Sequence, residues 1–187
     1  DLRGRPIYFA REIDGHLFAQ SNTFDNADRL RSSTYPDGRE IERTYDDAGR
    51  LMGIDGIVAA IDYDDRGQMV AVERADGSVD TLEYDSLLRP TSLATTVPGG
   101  LAQDLALTRD RVGNLQSVAD TSGEGPDASA EYVHDAWYRT REAHLSIGGQ
   151  DETLGWQFDT LDNIVSRTSS RAADAHGLTG AFTYDGA

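Results

Sequence analysis

At 187 residues and a net charge of −16, the chain is long enough for one ordinary domain and too acidic to favour a nucleic-acid backbone, whose binding depends on basic groups displacing counterions. All 17 basic residues are arginine, which excludes a Walker-type phosphate lysine and Schiff-base chemistry; the lack of cysteine excludes disulfides, thiolate nucleophiles and cysteine metal sites. No apolar run is long enough to span a bilayer, and the opening "DLRGRPIYFA" does not read as a signal peptide.

In chain order, the first turn signal is "EIDGHL" from Glu12, an Asp-Gly hairpin. A longer unit starts at Thr23 as "TFDNADRL" and returns as "TYDDAGRL" from Thr44, "DYDDRGQM" from Asp62 and "EYDSLLRP" from Glu83. It comes back, more worn, as "TRDRVGNL" from Thr108, "VHDAWYRT" from Val133 and "QFDTLDNI" from Gln157, and a shortened "TYDGA" begins at Thr183. The shared aspartates are Asp25, Asp46, Asp64, Asp85, Asp110, Asp135, Asp159 and Asp185, spaced by 21, 18, 21, 25, 25, 24 and 26 residues. Periods in that range mark stacked supersecondary units. Between the units, "PDGR" from Pro36 and "ADGS" from Ala75 are further hairpin signals, while "VPGG" from Val97 is loop-like. Residues 121–130, "TSGEGPDASA", read as a loop insertion between hairpins, and "SSRAADAHG" from Ser169 as either a short helical turn or a loop.

Parity gives each unit its conformation. Two residues before the aromatic slot stand Arg43, Ile61, Leu82, Leu107, Tyr132, Trp156 and Phe182; all but the first are large and apolar. The residue immediately before the slot is polar in seven of eight copies, Val133 being the exception. Such alternation is a strand with one buried and one wetter face, and nothing comparable repeats at helical spacing. The rings Phe24, Tyr45, Tyr63, Tyr84, Phe158 and Tyr184 are expected on the buried face, Tyr45 as the buried aromatic of its hairpin.

Turn chemistry completes the unit. The aspartate suits the first position of a tight turn, because its carboxylate can accept a backbone N–H two residues on. Three residues later Gly49, Gly67 or Gly113 takes positive φ without cost, and Asp28 and Asp162 are the next most tolerant type. An arginine or asparagine such as Arg50 follows, and a Leu, Met or Ile reopens the next strand. The fold class is therefore all-β: tandem β-hairpins lying side by side in a curved or spiralling sheet, with residues 1–187 a single repeat segment.

Catalytic and metal constellations are weak. His16, His134, His144 and His176 are scattered, and neither a G-x-S-x-G nor an H-E-x-x-H motif occurs. Adjacent pairs such as Asp46-Asp47 and Asp64-Asp65 are what the turns require. Asp62, Asp64, Gly67 and Glu73 have the spacing of a calcium loop, but Arg66 would stand among the ligands and no flanking helices are patterned. No enzyme, cofactor or metal site is expected.

The run from Tyr35-Pro36-Asp37-Gly38-Arg39 through Tyr45-Asp46-Asp47-Ala48-Gly49-Arg50-Leu51 resembles the YD repeat of the Rhs family. The resemblance extends over nearly the whole chain from about residue 20, strongest at 35–70. It weakens where Arg109 and His134 replace the aromatic and Leu88 and Tyr138 replace the glycine. In that family long arrays of such hairpins form a hollow shell around a toxin domain, as in bacterial Rhs effectors and the B/C components of Tc toxins. The resemblance implies a non-catalytic, secreted or extracellular segment of a larger shell. Its partners would be flanking repeats of the same polypeptide, an enclosed toxin and a secretion or delivery complex. No Asp-Pro pair is present, so the family's self-cleavage signature is missing. A surface module recognising glycan or receptor, as in the family's cell-adhesion relatives, is the alternative.

Overall fold

The computed structural model describes residues 1–171 and 179–183. His176 and the last predicted ring and turn, Tyr184 and Asp185, lie outside the described residues. Every regular element described is a β-strand, and each pairs antiparallel with its neighbours in chain order. The chain divides into two compact units, residues 1–81 and 82–187.

The first unit holds β1 (Tyr8–Ile13), β2 (His16–Phe24), β3 (Leu30–Thr34), β4 (Glu40–Tyr45), β5 (Leu51–Ile54), β6 (Val58–Tyr63), β7 (Met69–Arg74) and the start of β8 (Val79–Tyr84). The second holds the end of β8, then β9 (Pro90–Val97), β10 (Gly100–Arg109), β11 (Leu115–Asp120), β12 (Ala128–His134), β13 (Thr140–Ile147), β14 (Gln150–Phe158), β15 (Ile164–Ser169) and the short β16 (Gly180–Ala181).

One irregularity recurs at the same place in six of the repeats. The pairing register slips between Thr44 and Tyr45, so that Thr44 faces Gly53 while Tyr45 faces Leu51. The same slip sets Phe24 opposite Leu30, Tyr63 opposite Met69, Arg109 opposite Leu115, His134 opposite Thr140 and Phe158 opposite Ile164. This is a β-bulge on the strand leaving the turn. It explains the hydrophobic residue that reopens each strand: in most copies it is the cross-strand partner of the ring.

The turns at the opposite ends of the strands are tight. Asp14 and Gly15 both have positive φ between the paired Ile13 and His16, the two-residue hairpin that its Asp-Gly signal indicated. "VPGG" also closes a hairpin, with Val97 paired to Gly100. The predicted insertion at 121–130 is shorter than its composition suggested. Residues 128–130 are already strand, pairing with Ile147, Ser146 and Leu145. Their Ala-Ser-Ala character carries too little hydrophobic contrast to show its alternation in sequence.

Burial is shallow throughout. Among the described residues Ile41, Ile61 and Ala143 are the buried hydrophobic ones, and the expected core rings Phe24, Tyr45, Tyr63, Tyr84 and Phe158 are half-buried. A sheet without a second packed layer leaves its apolar face to be covered by neighbouring side chains on the same face. Small residues let those neighbours close over them. Ser33 is fully buried beside Ile41 and accepts a bond from Arg43 Nη1 at 3.2 Å, and Ser32 shares a 2.8 Å bond with Thr23.

Candidate functional site

The repeat turn is where the predicted site residues converge, and Asp46 shows its construction. The Asp46 N–H donates to the Arg50 carbonyl at 2.9 Å and the Gly49 N–H donates back to the Asp46 carbonyl at 3.0 Å. Gly49 sits at φ +86°, the left-handed bulge position of a three-residue hairpin loop. The carboxylate then ties the loop from inside: one oxygen accepts the Arg50 N–H at 2.8 Å and the other accepts Arg50 Nε at 2.7 Å. The amide and then the guanidinium of Arg50 hold the Asp46 carboxyl below its usual range. Asp25 is lowered in the same way by Arg29, and Asp85 by Arg89.

The other predicted turns keep this plan with substitutions. Asp135 engages Arg139 Nε at 2.7 Å. Asp110 and Asp159 engage the side-chain amides of Asn114 and Asn163, each at 2.9 Å, so asparagine serves as a shorter arginine. Asp64 accepts the N–H groups of Arg66 and Gln68 at 2.9 and 2.8 Å, with Gly67 at φ +84°. Gly113 takes φ +104°.

At the slots without glycine the backbone does not change. Leu88 and Tyr138 stand at φ +63° and +66°, as do Asp28 and Asp162 at +65° and +67°. Bulky side chains rarely tolerate this region, so the aspartate's bonds on either side impose it.

A further turn of the same kind lies at Asp1-Leu2-Arg3-Gly4-Arg5. The Arg5 N–H and Nε both donate to the Asp1 carboxylate, at 3.1 and 2.7 Å, and Gly4 has φ +76°. The repeat as it reads in the sequence starts at Thr23, where an aromatic first stands before a turn aspartate. For the copy at Asp1 the D-x-x-G-R spacing was the available signal.

The role of the arginine was not legible. Each one closes its own turn and then reaches forward to the next repeat. Arg29 lies 4.7 Å over the Tyr45 ring and its Nη1 donates to the Asp46 carbonyl at 3.2 Å. Tyr45 Oη in return donates to the Leu30 carbonyl at 2.8 Å, back in the repeat that supplied the arginine. Arg50 and Tyr63 repeat the pattern, with 4.6 Å to the ring and a 2.8 Å bond from Tyr63 Oη to the Leu51 carbonyl. Arg5 covers Phe24 at 4.7 Å and Arg139 covers Phe158 at 4.4 Å. Tyr45 is thus half-buried beneath a guanidinium, where a buried core ring was expected. Turn, arginine and following ring form a clasp between consecutive repeats, made of charge-assisted bonds and cation–π contact.

The carboxylates spaced like a calcium loop do not converge. Asp64 is occupied by its own turn, while Asp62 and Glu73 face Ala71 and Ala60 across the sheet. Among the described residues no group of three or more His, Cys, Asp or Glu is placed to hold a metal ion. His134 occupies the aromatic slot and is half-buried.

Comparison with known proteins follows the same lines. The RHS Repeat family model matches residues 24–55. No curated protein matches the chain by sequence. Among solved structures, the TcdB2–TccC3 crystal structure aligns over 86% of this chain at 19% identity with a TM-score of 0.76. The TcdB2–TccC3–Cdc42 structure aligns over 84% at 19% identity and 0.74. The Photorhabdus luminescens Tc holotoxin pore, carrying a substitution in TccC3, aligns over 82% at 19% and 0.74. The chain spans about a tenth of these proteins: 9% of the chain with Cdc42 and of the holotoxin chain, and 10% of the third.

Proposed function

Taking the chain as a segment of Rhs/YD repeats, we propose that it is a non-catalytic stretch of wall in a shell that encloses a toxin and helps deliver it. The observation that carries this reading is the clasp. The side chains that a catalytic reading would recruit, the repeat aspartates and arginines, are engaged in closing turns and joining consecutive repeats. A wall needs that: a sheet extended hairpin by hairpin, each joint fixed by the one before it. The likeness of fold to TcdB2–TccC3 supports the reading. Its partners are then neighbouring repeats of the same polypeptide and an enclosed polypeptide, and its place of action is outside the cell that makes it.

The experiment is limited proteolysis of the natural polypeptide that contains this sequence, followed by mass spectrometry. A segment outside the repeats that resists protease in the wild type and is digested when Arg29→Ala and Arg50→Ala open adjacent joints is the expected outcome. Equal digestion of every non-repeat segment in the wild type would overturn enclosure.

A further inference from the structure

The second unit carries a feature that the clasp does not need. The turns at 85–89, 110–114, 135–139 and 159–163 join alternate strand pairs, so they stand along one edge of that unit's sheet, about 10 Å apart, the width of two strands. The residue two after each turn aspartate donates its N–H to that aspartate, which turns its side chain away from the loop. At this position stand Leu87, Val112, Trp137 and Leu161, exposed by 67%, 63%, 73% and 63%. Leu88 and Tyr138 follow two of them and are also exposed. The corresponding positions of the first unit are Arg3, Ala27, Ala48 and Arg66, with Asp47 and Asp65 beside them.

We propose that this row is a self-association edge that seats against the same row of a second copy of the chain. The six side chains present on the order of 800 Å², the area each partner contributes to a standard protein interface. The centre of the row is held ready for contact. Arg139 stacks on Trp137 at 5.1 Å while its own turn and Asp162 fix it, and Tyr138 is locked in the left-handed backbone. Ordered Trp and Tyr at the middle of a patch are the usual anchors of protein interfaces. Charge does not oppose the contact locally. Asp85 and Asp135 are paired with Arg89 and Arg139, Asp162 with Arg139, and Asp110 and Asp159 with asparagines. With four turns in a row, a two-fold axis through its centre sets Val112 against the partner's Trp137 and Leu87 against the partner's Leu161. This inference does not rest on the shell reading.

Sedimentation equilibrium of the chain over a dilution series should reach twice its 20.4 kDa mass. Trp137→Ser with Leu161→Ser should return it to one mass with an unchanged circular-dichroism spectrum, since Arg139 keeps Asp135, Asp162 and Phe158. Engineered cysteines test the register without relying on those variants, because the chain has no cysteine of its own. Val112→Cys with Ala136→Cys should oxidise to a covalent dimer, because neighbouring turns about 10 Å apart are too distant to bridge within one chain. Ala48→Cys with Arg66→Cys should give none. A monomer at every concentration, or a dimer that survives the double serine variant, would overturn the proposal. So would a dimer abolished by Tyr8→Lys with Phe9→Lys, which would assign association to the β1 edge. Flotation with neutral phosphatidylcholine vesicles that the serine variants abolish would assign the row to a lipid surface and overturn it as well.

Discussion

Arg139 Nη1 donates to Asp162 Oδ1 at 2.6 Å across 23 residues of sequence, and Asp162 stands where most other repeats have glycine. Arg5 meets Asp28 in the same way at 2.5 Å. In both pairs the left-handed slot holds an aspartate whose carboxylate is reached by the arginine of the preceding repeat. The slot therefore asks for positive φ together with something compatible with an approaching guanidinium.

Gly49 tests that rule. Arg29 Nη1 lies 3.5 Å from where a Cβ at this position would sit, in the same relation as Arg139 to Asp162. Gly49→Asp should cost less than about 1 kcal/mol, because aspartate tolerates the left-handed region and gains the arginine. Gly49→Val should cost about 2 kcal/mol or more, with a branched side chain in that backbone and no bond in return. Urea melts of the two variants measure the difference, and equal losses would refute the rule.

Arg109 stands where a ring is expected, its Nε buried without a hydrogen-bond partner, downstream of Arg89. Arg109→Tyr removes that orphan donor and gives Arg89 a ring to cover. A gain of about 0.5–1 kcal/mol in unfolding free energy is expected, the size of an exposed cation–π contact. No gain, or a loss, would show that the second unit has repacked around the guanidinium.

Within the Arg29–Tyr45 joint the contributions should separate. Tyr45→Phe removes only the bond to the Leu30 carbonyl and should cost about 1 kcal/mol. Tyr45→Ala should cost about 2–3 kcal/mol, below the usual range for a fully buried ring because this one is half-buried. Arg29→Lys keeps the charge but cannot both bond Asp25 through Nε and lie flat on the ring, so it should cost on the order of 1 kcal/mol. Asp46→Ala should lower the melting temperature measurably, whereas Asp47→Ala, at the outer corner of the same turn, should change stability by less than about 0.5 kcal/mol. Matching effects at Asp46 and Asp47 would remove the carboxylate from the turn's design.

Acid should open the turns. The Asp25, Asp46 and Asp85 carboxyls are lowered in the folded chain, so the native state binds fewer protons than the unfolded one in the acid range. The stability they contribute is fully present above the unfolded aspartate value, about 3.9, and is lost as pH falls through the lowered folded values. Thermal melts should be level near neutrality and decline below about pH 4. A decline that begins near pH 6 would point to histidine.

The fold was largely legible, because strand alternation and Asp-to-Gly turn spacing are local signals that survive in a single sequence. Tyr45, Asp46, Gly49 and Arg50 could be placed in their hairpin from their neighbours alone. The reach of Arg29 to Tyr45 could not, since it joins residues a full repeat apart. The repeat length also varies, which hides any fixed offset between arginine and ring. Tyr138 and Leu88 looked like decay of the repeat because propensity argues against them in that slot; the backbone they adopt is imposed by Asp135 and Asp85 on the loop around them. The shallow burial also escaped periodicity, which reports which face is apolar but not whether anything packs upon it.

The clasp points one way along the chain. Arg5, Arg29, Arg50 and Arg139 each serve the ring that follows, and these joints already span repeats of 18 to 24 residues, so the contact does not fix the distance between repeats. Whole units can therefore be duplicated or deleted in the gene, and each new junction will find an arginine upstream and a ring downstream wherever both types are retained. The length of such an array can drift through evolution while the chemistry of every junction stays constant, and a damaged arginine loosens its downstream neighbour rather than the one before it.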